Sequence, residues 1–148
     1  MRTIYFDMDG TIADLYSVDN WLPRLRNEDA TPYAEARPLC DMIALTNILI
    51  EAKAKGYGIG IITWLFKDAT KEYKKAIKKA KKQWLTNYLG IELDEAHFVQ
   101  YGTRKDYVAK DKEGIIFDDD ERVRAKWRGQ AYNPTEQNII EVLQEILR

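Results

Sequence analysis

The chain has 148 residues, 45% hydrophobic and 32% charged, with 8 Gly and 4 Pro, a composition that supports one hydrophobic core and excludes collagen-like, low-complexity and largely disordered chains. Lys and Arg number 23 against 24 Asp and Glu, leaving a net charge of −1, so bulk electrostatics demand neither nucleic acid nor an acidic membrane as a partner. No apolar run approaches the roughly 18 residues that span a bilayer, no hydrophobic signal core follows the N-terminus, and the lone cysteine, Cys40, suits a packing role in a reducing compartment. The expected location is cytoplasmic, with no membrane partner.

Thr3-Ile4-Tyr5-Phe6 is β-branched and aromatic without polar alternation, which predicts a strand covered on both faces and stopped by a turn at Gly10. Residues 15 to about 40, with Trp21, Pro23, Pro32 and Pro38, predict a small lid of short helical or irregular pieces inserted after that strand. Met42, Leu45, Leu49 and Ala52, with Ile43, Ile48 and Ile50 widening the stripe, predict a helix over 41–55 stopped by Gly56. Residues 57–62 read as a second strand, and 68–88 as a long helix closed by Gly90. On that helix Tyr73, Ala76, Ile77, Ala80 and Trp84 form the packed stripe, whereas Lys71, Lys74, Lys75, Lys78, Lys79, Lys81 and Lys82 read as a solvated face that could also meet a polyanion. A third strand is expected at 97–101, a helical turn from Arg104 capped by Thr103, a fourth strand at 114–117, and helices at 121–127 and 135–147. Strands alternating with helices predict a single α/β domain over 1–148, a doubly wound, three-layer, Rossmann-like and mainly parallel sheet with a small helical cap insert at about 15–40.

Acidic residues fall where such a sheet binds ligands, beyond the strand C-termini. Asp7-Met8-Asp9-Gly10-Thr11 leaves the first strand, and the period of two places both carboxylates on one side. Carboxylates so close repel unless a cation neutralises them, and an all-oxygen donor set suits Mg²⁺ better than Zn²⁺. The fourth predicted strand ends in Asp118-Asp119-Asp120, where Asp120 suits a helix cap before Glu121. Only one histidine, His97, is present, so sites needing several imidazoles have no support, and His97 is expected to pack or cap. Trp21 and Tyr33 in the insert suit either a stacking platform for a base or the lid's own small core.

The string Phe6-Asp7-Met8-Asp9-Gly10-Thr11-Ile12-Ala13-Asp14 resembles the opening motif of the haloacid dehalogenase superfamily of phosphatases, and most resembles its 5'(3')-deoxyribonucleotidase branch. Ile61-Ile62-Thr63, Lys105 and Ile115-Ile116-Phe117-Asp118-Asp119 follow in the family's order. The resemblance implies Asp7 as nucleophile and Asp9 as acid/base, with Thr63, the Trp64 amide and Lys105 on the phosphate. It also implies Mg²⁺ held by Asp7, the Asp9 backbone carbonyl, and the pair Asp118 and Asp119, the second of these as direct ligand. Arg104 is the nearest rival of Lys105. The implied activity is hydrolysis of a phosphomonoester, a nucleotide above all. The end of a polynucleotide or a phosphoprotein is the alternative substrate, and a phosphate-sensing interaction protein is the non-enzymatic one. The insert is shorter than in typical deoxyribonucleotidases.

Overall fold

β1 (Thr3–Phe6) is buried along its whole length in the computed structural model, which describes residues 1–148. The two-residue strands β2 (Ala13–Asp14) and β3 (Arg37–Pro38) pair antiparallel. Between them lie a 3-10 turn (Leu15–Ser17) and two short helices, α1 (Trp21–Arg26) and α2 (Thr31–Glu35). The remaining elements alternate: α3 (Met42–Ala54), β4 (Gly58–Trp64), α4 (Lys71–Tyr88), β5 (Glu95–Val99), α5 (Lys105–Val108), β6 (Ile115–Phe117), α6 (Glu121–Lys126), β7 (Gln130–Tyr132) and α7 (Ile139–Ile146). No helix is long and apolar enough to cross a membrane.

The five long-range strands form a parallel sheet in the order β5-β4-β1-β6-β7. Alternation along β1 builds three layers. Ile4 and Phe6 join Leu45, Leu49, Trp84 and Leu143 on one face, while Tyr5 meets Ile62, Val123 and Trp127 on the other. The doubly wound α/β arrangement predicted from the sequence is therefore the arrangement present. From β1 the chain winds to β4 and β5 on one side and then returns to β6 and β7 on the other. The C-terminal end of β1 is thus the topological switch point, where open α/β sheets bind ligands.

The ends of α3 follow from its sequence. The Asp41 side chain accepts from the amides of Ile43 and Ala44, filling two of the donors that a helix start leaves open. At the other end Gly56 has φ +93°, and the amides of Gly56 and Tyr57 donate to Lys53 and Ala52, a left-handed closure that favours glycine. Cys40 is half-buried against the main core, with its Sγ 3.7 Å from Met42 Sδ, and burial pushes its thiol up to about 11.

Several expectations need correction. Ile43 and Ile50 are exposed, so the buried stripe of α3 is narrower than its composition suggests. The third strand begins at Glu95 rather than His97. Thr103 does not cap α5: its hydroxyl donates to Gln100 O, and the cap position belongs to Arg104. The last helix starts at Ile139, because Asn133 draws Thr135 into a side-chain turn and Asn138 supplies the cap. β7 was not expected at all. Its three residues, half-exposed at the sheet edge, carry too little pattern to stand out.

Candidate active site

Asp7 is the first residue after β1 and Asp118 the first after β6, and pairing of Phe6 with Phe117 sets the two side by side. Asp7, Asp118 and Asp119 each present a carboxylate oxygen, the three atoms lying within 4.8 Å of one another. Lys105, at the start of α5, reaches in from the third side. Its Nζ donates to Asp7 Oδ1 at 2.9 Å and to Asp118 Oδ2 at 2.7 Å, with all three residues buried. Burial works against the ammonium charge, yet Asp7 and Asp118 together raise its pKa to about 12. Arg104 instead binds Asp106 and stacks on Tyr107.

The turn after β1 is folded around Met8, whose carbonyl accepts from the amides of Thr11, Ile12 and Ala13. Gly10 sits in that turn at φ +82°, and a Cβ there would come within 2.3 Å of Asp119 Oδ2. Glycine is required on both counts. The Thr11 hydroxyl accepts from the Asp119 amide at 3.2 Å. It also lies 3.2 Å from Asp7 Oδ2 and 3.4 Å from Asp119 Oδ1, so its single proton serves one carboxylate at a time.

Asp118 and Asp119 differ in what remains free. Asp118 is committed to Lys105 through Oδ2 and to the Asp120 amide through Oδ1, whereas Asp119 faces Asp7 with no cation in contact. Asp120 caps α6 and binds Arg122. Burial, followed by the charge of Asp7, raises Asp118 to about 7 and Asp119 to about 8. Three carboxylates lie together with one ammonium that touches only two of them, all donors are oxygens, and Asp119 lacks a counter-charge. That set fits a hard divalent cation.

Asp9 stands apart from this group. Its Oδ2 accepts from Nζ of Lys81 at 2.9 Å, and burial raises its carboxyl against the opposing pull of Lys81. Lys81 is only 1% exposed, which overturns its assignment to the solvated face of α4. Thr63, at the end of β4, is fully buried with its Oγ1 2.7 Å from the same Nζ. Its side chain thus meets a lysine as well as any ligand. Trp64 lines the adjoining cavity and donates from its indole to Thr103 O. His97 is outside the site, with Nε2 3.0 Å from Glu95 Oε1.

The cavity over these groups has a volume of about 640 Å³. Two aromatic pairs border it: Tyr16 edge-on to Trp21, and Trp64 tilted on Tyr101. Tyr33 also lines the cavity but is only 5% exposed; it packs in a small core that the insert's Leu15 and Leu25 share with Leu65, Tyr73 and Ile77, while Trp21 stands at the cavity wall.

No protein-family model matches the sequence, and no curated protein matches it. Among solved structures, the D,D-heptose 1,7-bisphosphate phosphatase from Burkholderia thailandensis is similar, with a TM-score of 0.51 and 13% identity over 87% of this chain and 75% of that one. The two share a fold. The doubly wound α/β architecture expected from the sequence is therefore one that this chain shares with that structure.

The raised carboxyls carry a pH signature. Asp118 and Asp119 hold protons more tightly in the folded than in the unfolded chain, so their contribution to stability is full below about pH 4 and is lost as pH rises towards 7 and 8. Carboxyls held low, such as Asp106 and Asp120, act below this window. The metal-free protein should therefore melt at lower temperature at about pH 8.5 than at about pH 5.5, with Mg²⁺ raising Tm more at the higher pH. Thermal melts in EDTA and in Mg²⁺ check this, and a Tm that climbs with pH in EDTA would contradict it.

Proposed function

We propose that the chain is a Mg²⁺-dependent phosphatase of the haloacid dehalogenase type, which hydrolyses a phosphomonoester, specifically a nucleotide, through an aspartyl-phosphate on Asp7. The observation that carries this reading is the division of labour within Asp7-Met8-Asp9. Asp7 belongs to the three-carboxylate group, and Asp9 lies outside it on a separate lysine. A site that only binds phosphate needs no second carboxyl, held on its own lysine, beside the first.

In this reading Asp7 attacks phosphorus in line, the bond from phosphorus to the ester oxygen breaks, and Asp9 gives its proton to the departing oxygen. Water then attacks the phosphoryl group, Asp9 takes the proton of that water, and the bond to Asp7 breaks. Lys105 screens Asp7 from the anionic phosphoryl group it must approach. Thr63 and the Trp64 amide serve the phosphoryl oxygens. Mg²⁺, held by Asp7, Asp119, the Asp9 carbonyl and Asp118, would offset charge on those oxygens.

The aromatic pairs Tyr16–Trp21 and Trp64–Tyr101 support a base-bearing substrate, since aromatic faces stack on bases; the similar solved structure is named for a sugar bisphosphate. The test is phosphate release from deoxyribonucleotides, ribonucleotides, sugar phosphates, phosphopeptides and 3'-phosphorylated oligonucleotides, each in Mg²⁺ and in EDTA. Highest kcat/KM on a nucleotide, abolished by EDTA, is the expected result. Preference for the oligonucleotide end would shift the reading to strand ends, and release from none would leave a phosphate-binding protein.

The two neighbouring acids should separate cleanly. Asp119→Ala is expected to lose activity through metal affinity and to recover in part at high Mg²⁺. Asp120→Ala should retain Mg²⁺ binding and lose about 1 kcal/mol of stability with its helix cap. Titration calorimetry of both variants checks this, and loss of Mg²⁺ by Asp120→Ala alone would contradict it.

A further inference from the structure

Lys81 is the most deeply buried cation of the chain and lies among groups of the proposed site, although nothing in the motif calls for it. All three of its ammonium protons are placed: on Asp9 Oδ2 at 2.9 Å, Thr63 Oγ1 at 2.7 Å and Trp64 O at 2.8 Å. The Tyr33 ring, from the insert, lies with its centre 5.0 Å from Nζ. Taking an ammonium out of water is expensive even when it is paired, and an apolar residue would fill the same position between Ile77 and Trp84 in the buried stripe of α4. Packing alone therefore gives no reason for a lysine here.

We propose that Lys81 is the positioning residue of the acid/base Asp9; the proposal rests on the phosphatase reading above. An ammonium only donates. With Oδ2 of Asp9 taken by Lys81, the transferable proton is carried on Oδ1. The other two bonds of Lys81 fasten the carboxyl to the end of β4, so that Asp9 does not turn inward to join Asp7, Asp118 and Asp119. The same contact acts on Thr63. Its hydroxyl accepts from Lys81, which leaves its one proton for a phosphoryl oxygen. When the ester bond breaks, the proton on Asp9 Oδ1 passes to the leaving oxygen, and Lys81 keeps all three of its own.

The role predicts a dependence on the leaving group that loss of packing does not. A dinitrophenolate departs without a proton and an alkoxide does not, and general-acid help is worth about 10² to 10⁴ in rate. Formation of the phospho-enzyme by Lys81→Met, followed by rapid quench, should therefore fall at least ten-fold further on an alkyl phosphate than on 2,4-dinitrophenyl phosphate. Equal losses on both esters, or no loss on either, would overturn the assignment. Asp9→Asn combined with Lys81→Met buries no lone charge, which keeps the question open to measurement if Lys81→Met alone does not fold. Relative to Asp9→Asn, this double variant should lose no more on the alkyl ester than on 2,4-dinitrophenyl phosphate, since any loss through Thr63 is common to both, and a ten-fold larger loss on the alkyl ester would overturn the assignment as well. A wild-type protein that forms no phospho-enzyme from either ester overturns the phosphatase reading itself, an outcome distinct from both.

Discussion

Asp7→Asn is expected to melt in EDTA at or above the wild-type temperature while turnover falls on the order of 10⁴-fold or more. The fold survives because an amide is nearly isosteric with the carboxylate and its oxygen still accepts from Lys105, which now lies 2.9 Å from Asp7 Oδ1. Removing one of three crowded carboxylates also relieves the repulsion that raises Asp119. What the amide lacks is a lone pair able to form an acyl-phosphate bond. Acid-quenched wild-type protein should carry a phosphoryl label that the variant does not. Turnover in Asp7→Asn within about ten-fold of wild type would remove Asp7 from the nucleophile's role.

Lys105→Met should be the most damaging change to stability near the site. Lys105 and Asp118 are 3% and 1% exposed, so solvent screens neither, and deleting one partner of a buried pair costs about 3–5 kcal/mol. For a chain of this size that is a fall in Tm of roughly 10 °C. Adding Asp118→Asn removes one of the two carboxylates that the variant strands, the other being Asp7, and should restore part of the loss without restoring activity, because Asp7 still meets the phosphoryl anion unscreened. Thermal melts of the single and double variants measure this. A single variant that melts within about 2 °C of wild type would show that Lys105 does not carry the electrostatic load assigned to it.

Much of the site was legible because the chain itself brackets it. Asp7 and Asp118 each follow a short strand that is free of charged residues and buried along its whole length, and parallel pairing of two such strands brings their ends together whatever the loops do. Lys81 was hidden by its company. Seven lysines on one helix read as a charged face, yet Lys81 falls four residues after Ile77 and three before Trp84, which is the spacing of the buried stripe. That spacing was the available signal. Thr11 was visible in the motif, but its link between the Asp119 amide and Asp7 depends on a contact 108 residues apart that no local pattern encodes. β7 and the start of α7 were illegible for a simpler reason: tertiary pairing decides a three-residue edge strand, and a single Asx turn decides where a helix begins.

The paired stems β2 and β3 give the insert a particular kind of independence. Ala13 faces Pro38 and Asp14 faces Arg37, so the polypeptide leaves the sheet and returns to it at nearly the same point. Closing a segment between fixed ends grows only slowly more expensive with its length. Residues 15–36 thus enter and leave through one stem, and besides that stem the packing of Leu15, Leu25 and Tyr33 on Leu65, Tyr73 and Ile77 ties them to the body. Grafting a longer or differently shaped segment that keeps this packing should redirect which molecules enter the cavity, while Asp7 and Asp118, anchored on β1 and β6, keep their spacing.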